Sequence, residues 1–258
     1  MGKVCAYCDF SGKLTKEHLF PASVIARYNE LWSSTDKLNK FFQSDLKIKD
    51  VCSACNNGFL SDLDNRFLPL FDQYMLNPIN SGESADFEYD YHKLLRFLLK
   101  VSYNSSRVSV GGQETRKILA RYVPYIMGSE SNAENVLLYL QIYTSAYYTS
   151  ANMCDTNSGQ ITRLLETKFL RSTKIVYDGI YNSDFVVRAV VFNSYWFFLV
   201  IPVKTVSKLK LRSFRKQFEN WKTPTGIFLS KNVKKLHVPR EQTSSISWSL
   251  LEGMFNLG

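Results

Sequence analysis

The chain has 258 residues and a mass of 29.8 kDa, enough for one large domain or two modest ones. Its 45% hydrophobic and 14% aromatic content excludes a disordered chain. No apolar run reaches the roughly 18 residues of a membrane-spanning helix, and a net charge of +9 favours polyanionic partners over basic ones.

The opening segment "MGKVCAYCDF" has no apolar stretch ending in a small-residue cleavage site, so the expectation is a cytoplasmic protein with reduced thiols. Four of the five cysteines form two Cys-x-x-Cys pairs, Cys5/Cys8 and Cys52/Cys55, with 43 residues between them, and Cys154 stands alone. A two-residue gap lets both sulfurs of a pair turn toward one ion, so the four thiolates predict a single tetrahedral zinc with Zn–S near about 2.3 Å. A four-sulfur site has no open coordination position, so this zinc holds the fold and does no chemistry. The competing reading, a redox pair, wants a thioredoxin-like helix start that neither pair has.

Between the pairs lies "LTKEHLFPASV", which taken alone reads as a helix start with Thr15 as N-cap. After Cys55, "NGFLSDLDNRF" predicts an amphipathic helix with Phe59, Leu60, Leu63 and Phe67 inward and Asp62 and Asp64 in water. Leu76 to Asp90 is rich in Asn, Ser, Gly and Asp and reads as a loop or linker, which divides the chain into blocks 1–75 and 88–258. The second block is expected to be mixed α and β. Leu94, Leu95, Leu98, Leu99 and Val101 have helical spacing. "GGQETRKILARYVPYIMG" predicts one further helix stopped near Pro124, and "NVLLYLQIYTSAYYT" a strand. "DFVVRAVVFNSYWFFLVIPV" predicts a hairpin turning at Asn193-Ser194. Residues 204–240 carry eleven Lys and Arg against the single acid Glu219. Within them "KLRSFRKQFENW" predicts a helix with Phe214, Phe218 and Trp221 on one stripe. The cations Lys208, Lys210, Arg212, Arg215 and Lys216 of residues 208–222 then face outward and are free to meet phosphates. His92, His237 and Cys154 have no partner at metal spacing and are expected to be structural.

Taken in order, "CAYC", Glu17-His18 with Pro21, and Cys52-x-x-Cys55-Asn56 resemble the zinc-knuckle branch of the HNH endonucleases over roughly residues 3–67. The resemblance implies an α+β chain, with an N-terminal ββα-metal (treble-clef-like) module ahead of the mixed α/β block. It implies that Glu17 and Asn56, with Asn57 as the other amide, hold a catalytic Mg²⁺ or Mn²⁺ distinct from the zinc. It also implies that His18 is the general base in phosphodiester hydrolysis of DNA, with RNA as the other candidate substrate, in restriction or phage defence. A neutral imidazole suits the base role at pH 7, and a hard cation on oxygen ligands takes up charge on the phosphate. Neighbours on a regular strand point to opposite sides, so the Glu17-His18 arrangement predicts an irregular backbone there. The family's Asn that orients the base is replaced here by Lys47, leaving Asp50 or Asn39 as candidates for that task. The alternative is a catalytically decayed, zinc-stapled nucleic-acid-binding protein. Neither reading fixes the oligomeric state, a homodimer included.

Overall fold

The structure, a computed structural model, describes residues 4–28, 45–109, 111–155, 159–165, 167, 169–177, 179–221 and 225–245, with the backbone alone for 147–155 and 159–165. β1 (Leu14–His18) is a strand, so the helix start at Thr15 is not formed, and Thr15 Oγ1 instead donates to Val51 O at 2.8 Å across a ladder. After the one-turn α1 (Ala22–Ile25), β2 (Lys47–Cys52) runs antiparallel to β1, with His18 opposite Lys47 and Leu14 opposite Cys52. A register shift lies between Thr15 and Lys16, whereas Glu17 and His18, where the irregularity was expected, pair in regular register with Ile48 and Lys47.

β2 leads straight into a kinked helical rod made of α2 (Ser53–Cys55), a π-turn (Asn56–Leu60), α3 (Ser61–Leu70) and a second π-turn (Phe71–Met75). The kink is at Gly58, whose φ of −96° and ψ of −111° lie outside the helical region. Leu60, Leu63 and Phe67 are buried along the rod, as their spacing requires.

The expected linker contains β3 (Ala85–Glu88). Its Ala85 and Phe87 are buried and its Asp86 and Glu88 exposed, the alternation of a half-buried strand. Its partner is the strand Lys235–Val238 from the basic end of the chain. α4 (Tyr91–Val108) starts where Asp90 accepts a bond from Lys93 N at 3.1 Å. The single helix expected to stop at Pro124 is two helices, α5 (Gln113–Ala120) and α6 (Val123–Ile126), because Pro124 begins the second. In the first helical turn the missing N–H of proline has no bond to lose.

The remaining strands are β4 (Leu137–Thr144), β5 (Ala146–Asp155), β6 (Gly159–Leu165), β7 (Leu170–Ile175), β8 (Phe185–Phe192), β9 (Tyr195–Pro202), β10 (Ile227–Phe228), β11 (Lys235–Val238) and β12 (Ser244–Ser245). The main sheet has the antiparallel order β10-β4-β9-β8-β7, with β12 parallel to β4, while β5 and β6 pair with each other. Asn193 turns the β8–β9 hairpin with φ at 52°, a conformation asparagine tolerates. β8 and β9 are buried on both faces. Val190, Phe192, Phe197 and Leu199 pack toward α4 and the first block, and Val187, Val191, Trp196 and Phe198 toward α7 (Lys208–Glu219).

The boundary placed at 76–90 does not divide the core. Phe67 of α3 stacks on Phe97 of α4 with centroids 3.6 Å apart, and lies 5.0 Å from Phe192 of the sheet. One buried cluster therefore runs from Cys5 to Val238.

Candidate active site and metal centre

The β1–β2 ladder places the two cysteine pairs at the same end, since Leu14 follows the first knuckle and sits opposite Cys52. The Sγ atoms of Cys5, Cys8, Cys52 and Cys55 all lie within 4.8 Å of one another, and those of Cys8 and Cys52 are 3.6 Å apart. Tetrahedral zinc with bonds of about 2.3 Å needs sulfurs roughly 3.8 Å apart. Backbone N–H groups already point at the sulfurs, with Cys52 N donating to Cys5 Sγ at 3.3 Å and Cys55 N to Cys52 Sγ at 3.5 Å. Burial pushes the Cys5 thiol up, but amide donors from Cys52, Tyr7 and Cys8 outweigh it and bring it down to about 7. The Cys55 thiol is pushed well up, first by burial and then by the neighbouring sulfurs. Four sulfurs this close cannot all ionise without a cation among them. The donor set thus fits a soft divalent ion such as zinc.

Glu17 and His18 follow the bulge and take different surroundings. Glu17 is 4% exposed, and its Oε1 lies 2.8 Å from Lys100 Nζ of α4. Lys100 Nζ also sits 2.6 Å from both carboxylate oxygens of Asp64 on α3. Burial raises the Asp64 carboxyl above its ordinary range, with the Lys100 ammonium opposing that rise. Asn104, one turn beyond Lys100, donates from Nδ2 to Glu17 Oε1 at 3.3 Å and to the His18 carbonyl at 3.0 Å. Its Oδ1 accepts from Tyr7 OH at 2.6 Å and from Arg107 Nη2 at 2.9 Å. Arg107 in turn reaches Asp50 at 3.2 Å, just ahead of Cys52.

His18 is half-buried. Asp45 Oδ2 lies 2.7 Å from its Nδ1, close enough for charge pairing but outside hydrogen-bond geometry, since Nδ1 has no such bond. Lys47 contacts Asp45 Oδ1 at 3.2 Å. Asp50 pairs with Arg107, Asp45 is the carboxylate beside His18, and Asn39 lies outside the described residues.

The two amides do not meet Glu17. Asn56 Nδ2 donates to Thr15 Oγ1 at 2.9 Å and to Lys16 O at 3.0 Å, pinning the start of the rod to the bulge. Asn57 is exposed and donates to Ser53 Oγ at 2.9 Å. Of the two acids expected in water, Asp62 is there, paired with Arg66 at 2.7 Å, whereas Asp64 joins the Glu17 cluster. The carboxylates that converge are thus those of Glu17 and Asp64, with the Lys100 ammonium between them.

Among the basic residues, Lys210 and Arg215 are committed to Asp184 and Glu219, both at 2.8 Å, whereas Lys208, Arg212 and Lys216 are exposed. His92 Nδ1 is 2.9 Å from Tyr125 OH and His237 Nδ1 2.8 Å from Asp86, structural contacts as expected. Cys154 lies in β5, where only the backbone is described. A cleft of about 560 Å³ lined by Arg121, Tyr122, Glu130, Asn132 and Lys204 contains none of the expected site residues. Among the described residues no helix is long and apolar enough to cross a membrane.

Asp45, Asp64, Lys100, Asn104 and Arg107 were not among the expected site residues. The last three recur at i, i+4 and i+7, one line on a helix that is buried over most of its length. Polar residues on such a line need internal partners, which is the one signal the sequence offered. In comparison with known proteins the chain matches no family model, no curated protein and no solved structure.

Proposed function

We propose that this protein is an HNH-type nuclease that hydrolyses phosphodiester bonds in nucleic acid, with the zinc-stapled β1–β2–rod unit as its catalytic centre. One observation carries the reading: His18 stands half-exposed on a bulged strand whose partner strand ends in the four-sulfur cluster, with Asp45 against its Nδ1. A carboxylate at Nδ1 favours the proton on that nitrogen and leaves Nε2 to take a proton from an attacking water. Asn104 fixes the His18 carbonyl and so the strand that carries the imidazole. Glu17 and Asp64 would hold a divalent cation once Lys100 Nζ withdrew, and such an ion would offset negative charge on a phosphate.

The second reading, a zinc-stapled nucleic-acid-binding protein without catalysis, is favoured by Lys100, because its ammonium already neutralises Glu17 in a buried site. Incubating the purified protein with supercoiled plasmid, with and without Mg²⁺ or Mn²⁺, separates the two. The nuclease reading expects nicking that needs the added ion and falls by about 10²–10⁴ in His18→Ala, with zinc content unchanged. Nicking by His18→Ala at the wild-type rate refutes the role of His18. Binding with no cutting under any ion leaves the second reading.

A further inference from the structure

The aromatic residues of α7 decide where its cations face. Phe214 and Phe218 are buried against Tyr139, Phe185 and Val187, which turns the opposite side of the helix outward. Lys208, Arg212 and Lys216 lie there, four residues apart, and no carboxylate among the described residues pairs with them. Four-residue spacing sets them on one line in steps of about 6 Å, a ridge roughly 12 Å long. Like charges at this spacing repel, and Lys208 stands in a first turn that contains no acid, at the positive end of the helix dipole. The ridge therefore destabilises the isolated helix slightly and gains most from an external anion.

We propose that this ridge grips the sugar-phosphate backbone of a nucleic-acid duplex. One strand of a duplex presents a phosphate about every 3.4 Å along the axis, so 12 Å of ridge faces three to four of them, a match for three cations. α7 covers the face of the main sheet opposite to the one that packs on α4 and the zinc unit. The ridge is thus a separate hold on the polyanion and no extension of the His18 surface. It gives affinity without sequence selectivity. This inference takes its class of partner from the proposed nuclease function and adds where the partner is held.

The test is binding of a mixed-sequence duplex of about 30 base pairs, without added divalent ions, over about 50 to 200 mM salt. Lys208→Gln, Arg212→Gln and Lys216→Gln together should flatten the plot of log affinity against log salt by about 2.7, or 0.9 per lost phosphate contact. Across that range the wild type then loses about 40-fold more affinity than the variant. Removing the exposed Arg116 and Lys117 of α5 should leave the slope unchanged. An unchanged slope in the ridge variant, with its circular dichroism intact, overturns the inference. So does an equal flattening in the α5 control, or a loss confined to anionic phosphatidylserine vesicles. Cutting with Mg²⁺ is scored separately. Binding with the expected slope and no cutting removes the nuclease reading and keeps the ridge, and cutting with no change in slope does the reverse.

Discussion

Lys100→Met keeps the stem of the side chain and deletes the ammonium that two buried carboxylates share. In the wild type the side chain of Lys100 is 1% exposed, that of Glu17 5% and that of Asp64 18%. The variant leaves both acids facing each other with no cation. Taking one partner from a buried ion pair costs about 3–5 kcal/mol. In a chain of this length each kcal/mol moves Tm by roughly 2–4 °C, so melting should fall by about 6–20 °C at neutral pH. Acids without a counter-ion have folded pKa values above their unfolded ones of about 3.9 and 4.3. The penalty is therefore full at neutral pH and is relieved as pH falls through the raised folded values. Thermal unfolding followed by circular dichroism at pH 7.5 and pH 5 measures both effects, and the gap from wild type should narrow at the lower pH. Adding Glu17→Gln and Asp64→Asn to the variant should recover most of the loss, because no charge is then left unpaired. A Tm within about 2 °C of wild type at pH 7.5 would refute the reasoning.

Asp64→Asn should cost less than about 1 kcal/mol at pH 7, because burial already disfavours that carboxylate and Lys100 keeps Glu17 as its partner. Chemical denaturation reads this directly, and a loss as large as that of Lys100→Met would contradict it. Elemental analysis should find one zinc per chain, lost in Cys5→Ser and released below neutral pH as the thiolates take up protons. A chain that keeps its melting profile after chelation would rule out a structural metal. Asn104→Ala strands Tyr7 OH and the His18 carbonyl, at about 1–3 kcal/mol for each buried group left unpaired. In a cleavage assay it should lower kcat more than it changes KM, and an effect on KM alone would remove Asn104 from the positioning of His18.

The elements that could be read from sequence are those whose signals are local. The cysteine spacing placed four sulfurs together, runs rich in β-branched and aromatic residues gave β8 and β9, and the aromatic stripe gave the buried face of α7. Local signals also misled where tertiary context decided the outcome. Thr15 has the chemistry of an N-cap but caps nothing, because β2 offers the segment a ladder. Leu76–Asp90 has the composition of a linker, yet Ala85 and Phe87 alternate well enough to seat a strand against β11. The polar centre was out of reach for a different reason. Lys100 and Asp64 are 36 positions apart, and Asn104 and Glu17 are 87 apart, so no window of sequence contains both members of either pair.

α4 explains why the two blocks behave as one. Its Lys100, Asn104 and Arg107 supply partners to Glu17, to the His18 carbonyl, to Tyr7 between the first two cysteines, and to Asp50 ahead of the second pair. Another side of the same helix packs on the sheet, where Ser105 bonds with Ser172 at 2.8 Å and accepts from Arg188. Zinc alone can close the ends of β1 and β2, but it does not reach Glu17 or the backbone of His18. A buried glutamate without Lys100 and a strand carbonyl without Asn104 are each unfavourable by an amount comparable to a lost hydrogen bond or more. The geometry around His18 is therefore a property of the whole chain. A substitution that shifts α4 against the sheet therefore acts on the Lys100–Glu17 pair and on the Asn104 bond to the His18 carbonyl.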